Sequence, residues 1–360
     1  LRSAIGRMLR ATTGARSAMT DNSSKPLETT RRKFIAGSTA AVSTFFIGRP
    51  QAHAGDAEIT LKFATVAAAS GTPWSVHFNE IKKRVRKASR NRVKLQYEFG
   101  GAAGDEVTTL EQTKQGTLQL WAGSFGAFEK FAPELCAFEL PYLFSSAKAA
   151  DDVIDNKLWA DIEQILDRAG FKLLFFSENG YRSLGTKFGV KSGADLNDKR
   201  VRVPQSFHMG QTLAAMGATP EPLPVTEVAE ALQRGTVVGF ENSALFSFAS
   251  GWYKEITHFT RTRHCYQPAV VVANKAAFEA LPDDVVTAII GDPKAESAHS
   301  RQMVRALEQP LEDNLTRAGI TVYTPTAGEL DAFKRATSSV HSAWTDKFGT
   351  AFYDKIVNSL

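Results

Sequence analysis

From Ile59 onward the chain alternates short strand-patterned runs with helical faces, and that alternation leaves few architectures open. Ile59 to Thr65 has the period-2 pattern of a strand, and Phe78, Ile81, Val85 and Ala88 mark one face of a helix. Val93, Leu95 and Tyr97 predict the next strand, Leu110 with Glu111-Gln112 a helix, and Leu118 to Ala122 a strand. A long helix is expected from Ala147 to Leu166, carrying Val153, Ile154, Leu158, Ile162 and Ile165. The run Lys172 to Phe176 is continuously apolar, as in a strand covered on both faces. Strands separated by helices predict an α/β fold of parallel sheets covered by helices.

A second series begins near Gly180. Two arginines alternate with two valines in Arg200-Val201-Arg202-Val203, a half-buried strand that Pro204 ends by removing a ladder donor. Arg202 is thus expected at a strand end, where ligands of open α/β sheets collect, and its guanidinium offers a planar fork suited to a carboxylate. From spacing alone an ordinary surface arginine on an edge strand stays open. Phe207 to Met216 predicts a helix with Ser206 as N-cap, Val228 to Leu232 another, and Thr236 to Phe240 a strand ending at Glu241-Asn242. Further on, Gly291-Asp292-Pro293 and Pro310 predict a broken or kinked helix between Asp283 and Ala318. A short strand at Ile320 to Tyr323 and two helices are expected to follow.

The first 54 residues read differently. They hold nine Lys/Arg and two acids, leaving 34 basic against 36 acidic residues in the rest of the chain. The basic pI of about 9.1 therefore belongs to this leader and does not argue for nucleic acid. Arg31-Arg32-Lys33, an apolar run through Phe46 to Ile47, and Ala52-His53-Ala54 have the layout of a secretory signal. The paired arginines point to the twin-arginine route and a periplasmic destination. About fourteen weakly apolar residues are too few to span a hydrocarbon core of about 30 Å, so no stable membrane insertion is expected. Cys136 and Cys265 could pair in an oxidising compartment, but Cys136 lies in an apolar run, and free, buried thiols are the expectation for both.

Enzyme signatures are missing. The seven histidines form neither H-x-x-x-H nor H-E-x-x-H, and His264-Cys265 has no second pair at metal-ligand spacing. Gly123-Ser124-Phe125-Gly126 does not make a nucleophile elbow, and the glycines from Gly100 to Gly104 make no dinucleotide or Walker pattern. The sequence predicts a binding protein with no catalytic residues, cofactor or metal.

An ordered set of motifs supports this. Gly104-Asp105-Glu106, Glu111-Gln112, Gln115-Gly116-Thr117-Leu118, Pro133-Glu134 and Leu140-Pro141-Tyr142-Leu143-Phe144 precede Arg182, Arg202 and Pro204. Gly217-Ala218, the run Pro222 to Val228 and Glu241-Asn242 follow. Together they cover about Ile59 to Leu281 and resemble the DctP-type substrate-binding proteins of TRAP (tripartite ATP-independent periplasmic) transporters. The resemblance implies a two-lobed architecture with two sheets, a ligand cleft between them and a long C-terminal helix, here kinked, across both lobes. It divides the chain into a leader (1–54), lobe I (55–179 and 268–290), lobe II (180–267) and a C-terminal helical region (291–360). Arg202 would form the main salt bridge to a ligand carboxylate, Arg182 a second contact, and Asn242 would hold the carboxylate from a neighbouring strand end. Val225 stands where the family often carries phenylalanine, a change that would reshape the pocket.

Phe240, Trp74 and Gly123 complete the expected site. Trp121, Tyr181, Phe207, Phe246 and Trp252 are further aromatics near these motifs, most of them expected in the core. The implied partners are a small organic acid and TRAP membrane subunits, for a monomer that binds no nucleic acid. A receptor of the same fold feeding a sensor kinase is the alternative, with a periplasmic enzyme more distant.

Overall fold

The computed structural model describes residues 59–360. The leader with Arg31-Arg32 and Ala52-His53-Ala54 lies outside the described residues. Nine strands form one hydrogen-bonded sheet: β1 (Ile59–Thr65), β2 (Val93–Glu98), β3 (Leu120–Ser124), β4 (Phe171–Thr186), β5 (Arg200–Val203), β6 (Thr219–Pro222), β7 (Gly239–Asn242), β8 (His258–Asn274) and β9 (Thr321–Tyr323). Their order is β2-β1-β3-β8-β4-β7-β5-β6, with β9 beside β8. Both ends are parallel, as the alternation predicts, whereas the centre is antiparallel where β8 meets β3 and β4 and where β4 meets β7.

The two expected sheets are therefore joined into one by β4 and β8, strands of 16 and 17 residues that run from one half to the other. Their register slips at three places, one of them between Glu178 and Gly180. Gly180 takes φ +82° there, a conformation that costs glycine little. The polar stretch Ser177 to Gly180 stays within the strand, and Asn179 is the residue that the bulge leaves unpaired. At the far edge, β6 contains Pro220 and Pro222, which a strand tolerates only where no ladder donor is required.

Helices cover this sheet around two apolar clusters. One contains Trp121, Phe128, Leu135, Ile162, Phe176 and Val270, the other Leu184, Val201, Met209, Leu213 and Cys265. The helix Ala327–Thr337 gives Phe333 to the second cluster, while Trp344 and Ile356, from the helices Ser339–Phe348 and Ala351–Val357, join the first. The C-terminal segment thus ties both clusters together, with three helices where the sequence predicts two.

The break expected between Asp283 and Ala318 divides that stretch into Asp283–Ile290, Pro293–Arg305 and Glu308–Arg317. Asp292 caps the middle helix by accepting from the Lys294 and Ala295 amides, both at 3.0 Å. Pro310 falls in the first turn of the last helix, where its missing N–H removes no helical bond. The expected helix 147–166 is also interrupted: Ala147–Asp151 passes through a π-helical segment, Asp152–Lys157, before Trp159–Arg168. Ser206 precedes the helix Phe207–Ala215 but does not cap it with its side chain. Glu129, from the first half of the chain, accepts from the Phe207 amide instead at 2.6 Å. Both cysteines are free and buried. No helix among the described residues is long and apolar enough to cross a membrane.

Candidate functional site

A cleft holding about 730 Å³ of empty space, counting the part open to solvent, lies where β3, β4, β5, β7 and β8 converge with the segment after β1. Strand ends supply Arg202 from β5, Asn242 from β7 and Ser124 from β3, and the middle of β8 supplies Gln267. Apolar residues from Val66 to Ala68, with Leu245, Phe246 and Ala269, supply much of the rest.

Arg202 is buried, at 4% exposure, and has no carboxylate within ion-pair distance among the described residues. Its Nε and Nη2 donate to the Leu223 carbonyl at 3.0 and 2.9 Å, and its guanidinium lies 5.3 Å above the Trp252 ring. Burial pulls its pKa down to about 9, Arg182 pulls the same way, and Glu241 opposes them. Glu106 opposes the fall as well, so the remaining donor face belongs to a buried cation that feels nearby carboxylates but has none within ion-pair distance among the described residues.

Arg182 is in the opposite condition. Its Nε donates to Glu241 Oε2, and its Nη2 donates to Glu241 Oε1 at 2.5 Å and to the Glu241 carbonyl at 2.7 Å. Nη1 donates to Gln267 Oε1 at 2.6 Å and, more weakly, to Asn242 Oδ1 at 3.4 Å. Burial alone would raise the Glu241 pKa, but Arg182, with His264 beside it, holds it down at about 2. Arg182 lines the cavity as the sequence leads one to expect, yet its charge is already matched.

Asn242 Oδ1 accepts from Asn179 Nδ2 at 2.9 Å and from the Ser243 amide at 2.8 Å, leaving the amide donors of Asn242 toward the cavity. Trp74 and Val225 also line the wall, and Trp74 Nε1 donates to the Glu178 carbonyl at 3.3 Å. Gly123 sits where a Cβ would collide with the Trp121 ring and come within 2.6 Å of Glu106 Oε1. Phe240 must be moved out of the expected site. It lies two residues, about 7 Å, back from Asn242 along β7, is fully buried, and packs on Trp252 at 5.2 Å. It supports the ring that underlies Arg202. Of the seven aromatics near the motifs, Trp74 and Phe246 reach the wall.

Sequence reasoning did not single out Glu106, Ser124, Asn179 or Gln267 as wall residues. Glu106 Oε1 accepts from the Ser124 amide at 2.9 Å, and its Oε2 accepts from Ser124 Oγ at 2.8 Å. Burial raises its pKa against those hydrogen bonds. Its place in Gly104-Asp105-Glu106 was the available signal; Asn179 and Gln267 carry none until the β4 bulge and β8 bring them together.

His264 and Cys265 do not form a metal pair. His264 Nε2 is 3.5 Å from Glu241 Oε2, while Cys265 belongs to the second apolar cluster. Among the described residues, Glu129, Cys136 and His208 bring ligand atoms within 4.8 Å of one another. There, Glu129 already accepts from the Phe207 amide at 2.6 Å, and burial, reinforced by Glu139, Glu129 and Glu134, raises the Cys136 thiol.

Residues 63–347 match family 7 of the bacterial extracellular solute-binding proteins, DctP. The chain is 25% identical over 284 residues to the 2,3-diketo-L-gulonate-binding periplasmic protein YiaO of Escherichia coli K12, covering 79% of this chain and 82% of that one. Its fold is shared with the sugar acid binding protein DctPAm of Advenella mimigardefordensis, solved with galactonate, at TM-score 0.79 and 23% identity over 83% of this chain and 97% of the other. It is likewise shared with a TRAP periplasmic solute-binding protein of Sulfurospirillum deleyianum, solved with succinate, at TM-score 0.78 and 20% identity over 83% and 98%.

Proposed function

The chain belongs to the DctP family of extracellular solute-binding proteins, and from that premise we propose that it captures a small organic acid through Arg202 and delivers it to TRAP-type membrane subunits. The observation that carries this reading is the guanidinium of Arg202, which stands near a strand end, opens onto the cavity and has no carboxylate within ion-pair distance among the described residues. A ligand carboxylate would supply the missing counter-charge in a water-poor site, where charge-assisted hydrogen bonds are strongest. Asn242 would donate to the same carboxylate from the adjacent strand end, and the Trp252 face would keep the guanidinium flat beneath it. Trp74 and Phe246 would pack against the ligand's body.

Arg182 enters this proposal in a changed role. Paired with Glu241, it holds Gln267 and Asn242 in place and offers the ligand a neutral, polar edge instead of a second free charge. The cavity lies between the proposed lobes, 55–179 with 268–290 and 180–267, which β4 and β8 connect. Periplasmic residence and twin-arginine export of a monomer belong to the same proposal. Relatives solved with acids as different as galactonate and succinate support an acid ligand without choosing one.

A thermal-shift screen against organic acids tests the reading, because a ligand that binds only the folded state raises the melting temperature. A rise for at least one acid that is lost in Arg202→Ala is expected. Equal rises for both proteins would place the acid elsewhere.

A further inference from the structure

The charge balance of the cavity wall constrains the ligand beyond its being an acid. Arg182, Arg202 and Glu106 are the ionisable side chains of that wall. Arg182 is bound by both carboxylate oxygens of Glu241, which is 0% exposed. Releasing it to a ligand would strand Glu241 with only His264 nearby at 3.5 Å, and an unpaired buried carboxylate is strongly unfavourable. Among the described residues, Arg202 is therefore the one cation of the wall with no carboxylate within ion-pair distance. Glu106 adds a carboxyl group with no Lys, Arg or His within ion-pair distance among the described residues. An adjoining pocket repeats this inventory: Arg202 faces it together with Asp105, Glu106 and Glu139, and no other cation among the described residues does.

Resting on the reading of Arg202 as the carboxylate anchor, we propose that the cleft selects acids with one carboxylate and an uncharged, hydrogen-bond-donating remainder, and rejects dicarboxylates of the same skeleton. One carboxylate gives Arg202 the close partner it lacks. A second finds no cation, and near Glu106 it meets like charge in a low-dielectric site. A hydroxyl in that place instead donates to a Glu106 oxygen, each of which already accepts one hydrogen bond from Ser124 and keeps a free lone pair. Asn179 and Gln267 extend the polar side of the wall without adding charge, whereas Val66, Ala67, Leu245 and Phe246 suit the ligand's carbon skeleton.

Titration calorimetry on the purified chain with matched probes decides this: galactonate against galactarate, butyrate against succinate, and benzoate against terephthalate. In every pair with a binding member, the diacid is expected to be at least about tenfold weaker. Succinamate and the monoamide of terephthalate, in which one carboxylate becomes an amide, are expected to recover the monoacid's affinity. These arms need no variant. Glu106→Gln, if folded, is expected to narrow the gap by at least about threefold, since it removes the like charge and keeps the shape.

A diacid that equals or exceeds its monoacid, with binding still lost in Arg202→Ala, overturns the selection and leaves the anchor standing. Binding of a monoacid that survives Arg202→Ala overturns the anchor, and the selection with it. Failure of all probes to bind overturns both.

Discussion

Arg182 and Arg202 are both buried, both face one cavity, and should respond to truncation in opposite ways. Arg182→Ala removes the partner of a fully buried carboxylate, a change that typically costs about 3 to 5 kcal/mol of stability. At about 2 to 4 °C per kcal/mol for a chain somewhat smaller than this one, the melting temperature should fall by on the order of 10 °C. Arg202→Ala also loses its hydrogen bonds to the Leu223 carbonyl, about 1 to 3 kcal/mol, and its stacking on Trp252, about 0.5 to 2 kcal/mol. Against this, it relieves the burial of an unpaired cation, a penalty of several kcal/mol. These terms oppose, so the ligand-free melting temperature should stay within about 5 °C of wild type.

Binding inverts the order. Without Arg202 the ligand carboxylate is buried unpaired, about 3 to 5 kcal/mol, so affinity should fall on the order of 10²- to 10³-fold or more. Arg202→Lys should recover only part of it, since an ammonium lacks the planar fork. Differential scanning calorimetry without ligand and titration calorimetry with the screened acid measure both quantities. The assignment of roles is refuted if Arg202→Ala is the more destabilised variant, or if it binds within about fivefold of wild type.

Gly123→Ala should lower the melting temperature by several degrees and weaken binding, because its Cβ would press on the Trp121 ring, which Thr109 Oγ1 fixes by accepting from Nε1 at 3.0 Å; an unchanged thermal unfolding curve would contradict the close packing of the cavity floor. The depressed pKa of Glu241 contributes stability that is present above the ordinary carboxylate value of about 4.5 and is lost as the pH falls toward about 2. Urea midpoints at pH 5 and 2.5 should therefore drop more in wild type than in Glu241→Gln, and parallel drops would count against the ion pair. The double change Arg31→Lys, Arg32→Lys should leave precursor in the cytoplasm in a fractionation assay; normal export would exclude the twin-arginine route.

What the sequence made legible follows from where side-chain pattern and backbone geometry agree. Ile59–Thr65 and Arg200–Val203 show period-2 alternation and are strands with those bounds. By contrast, β4 and β8 continue well beyond their apolar stretches because their middle residues are paired to each other around bulges, so backbone bonds hold segments whose side chains are polar. Thr219-Pro220-Glu221-Pro222 was hidden for a similar reason: two prolines argue against a strand unless it lies at an edge, and edge position is a property of the whole sheet.

At the site, Arg202, Asn242, Trp74, Val225 and Gly123 lie in the wall because they stand at strand ends, at a helix start and in a turn. Phe240 shares a strand with Asn242 but is one pleat too deep. That Arg182 is matched and Arg202 is not could not be read from either residue's own neighbours, since Glu241 reaches Arg182 only across the antiparallel pairing of β4 with β7.

Whether a ligand carboxylate completes Arg202 is decided by a crystal structure with the tightest-binding acid from the screen. A carboxylate oxygen is expected within about 3.2 Å of an Arg202 guanidinium nitrogen, with the second oxygen accepting from the Asn242 amide and the Arg182–Glu241 pair unbroken. A carboxylate seated on Arg182 with Glu241 displaced, or bound away from both arginines, would contradict it.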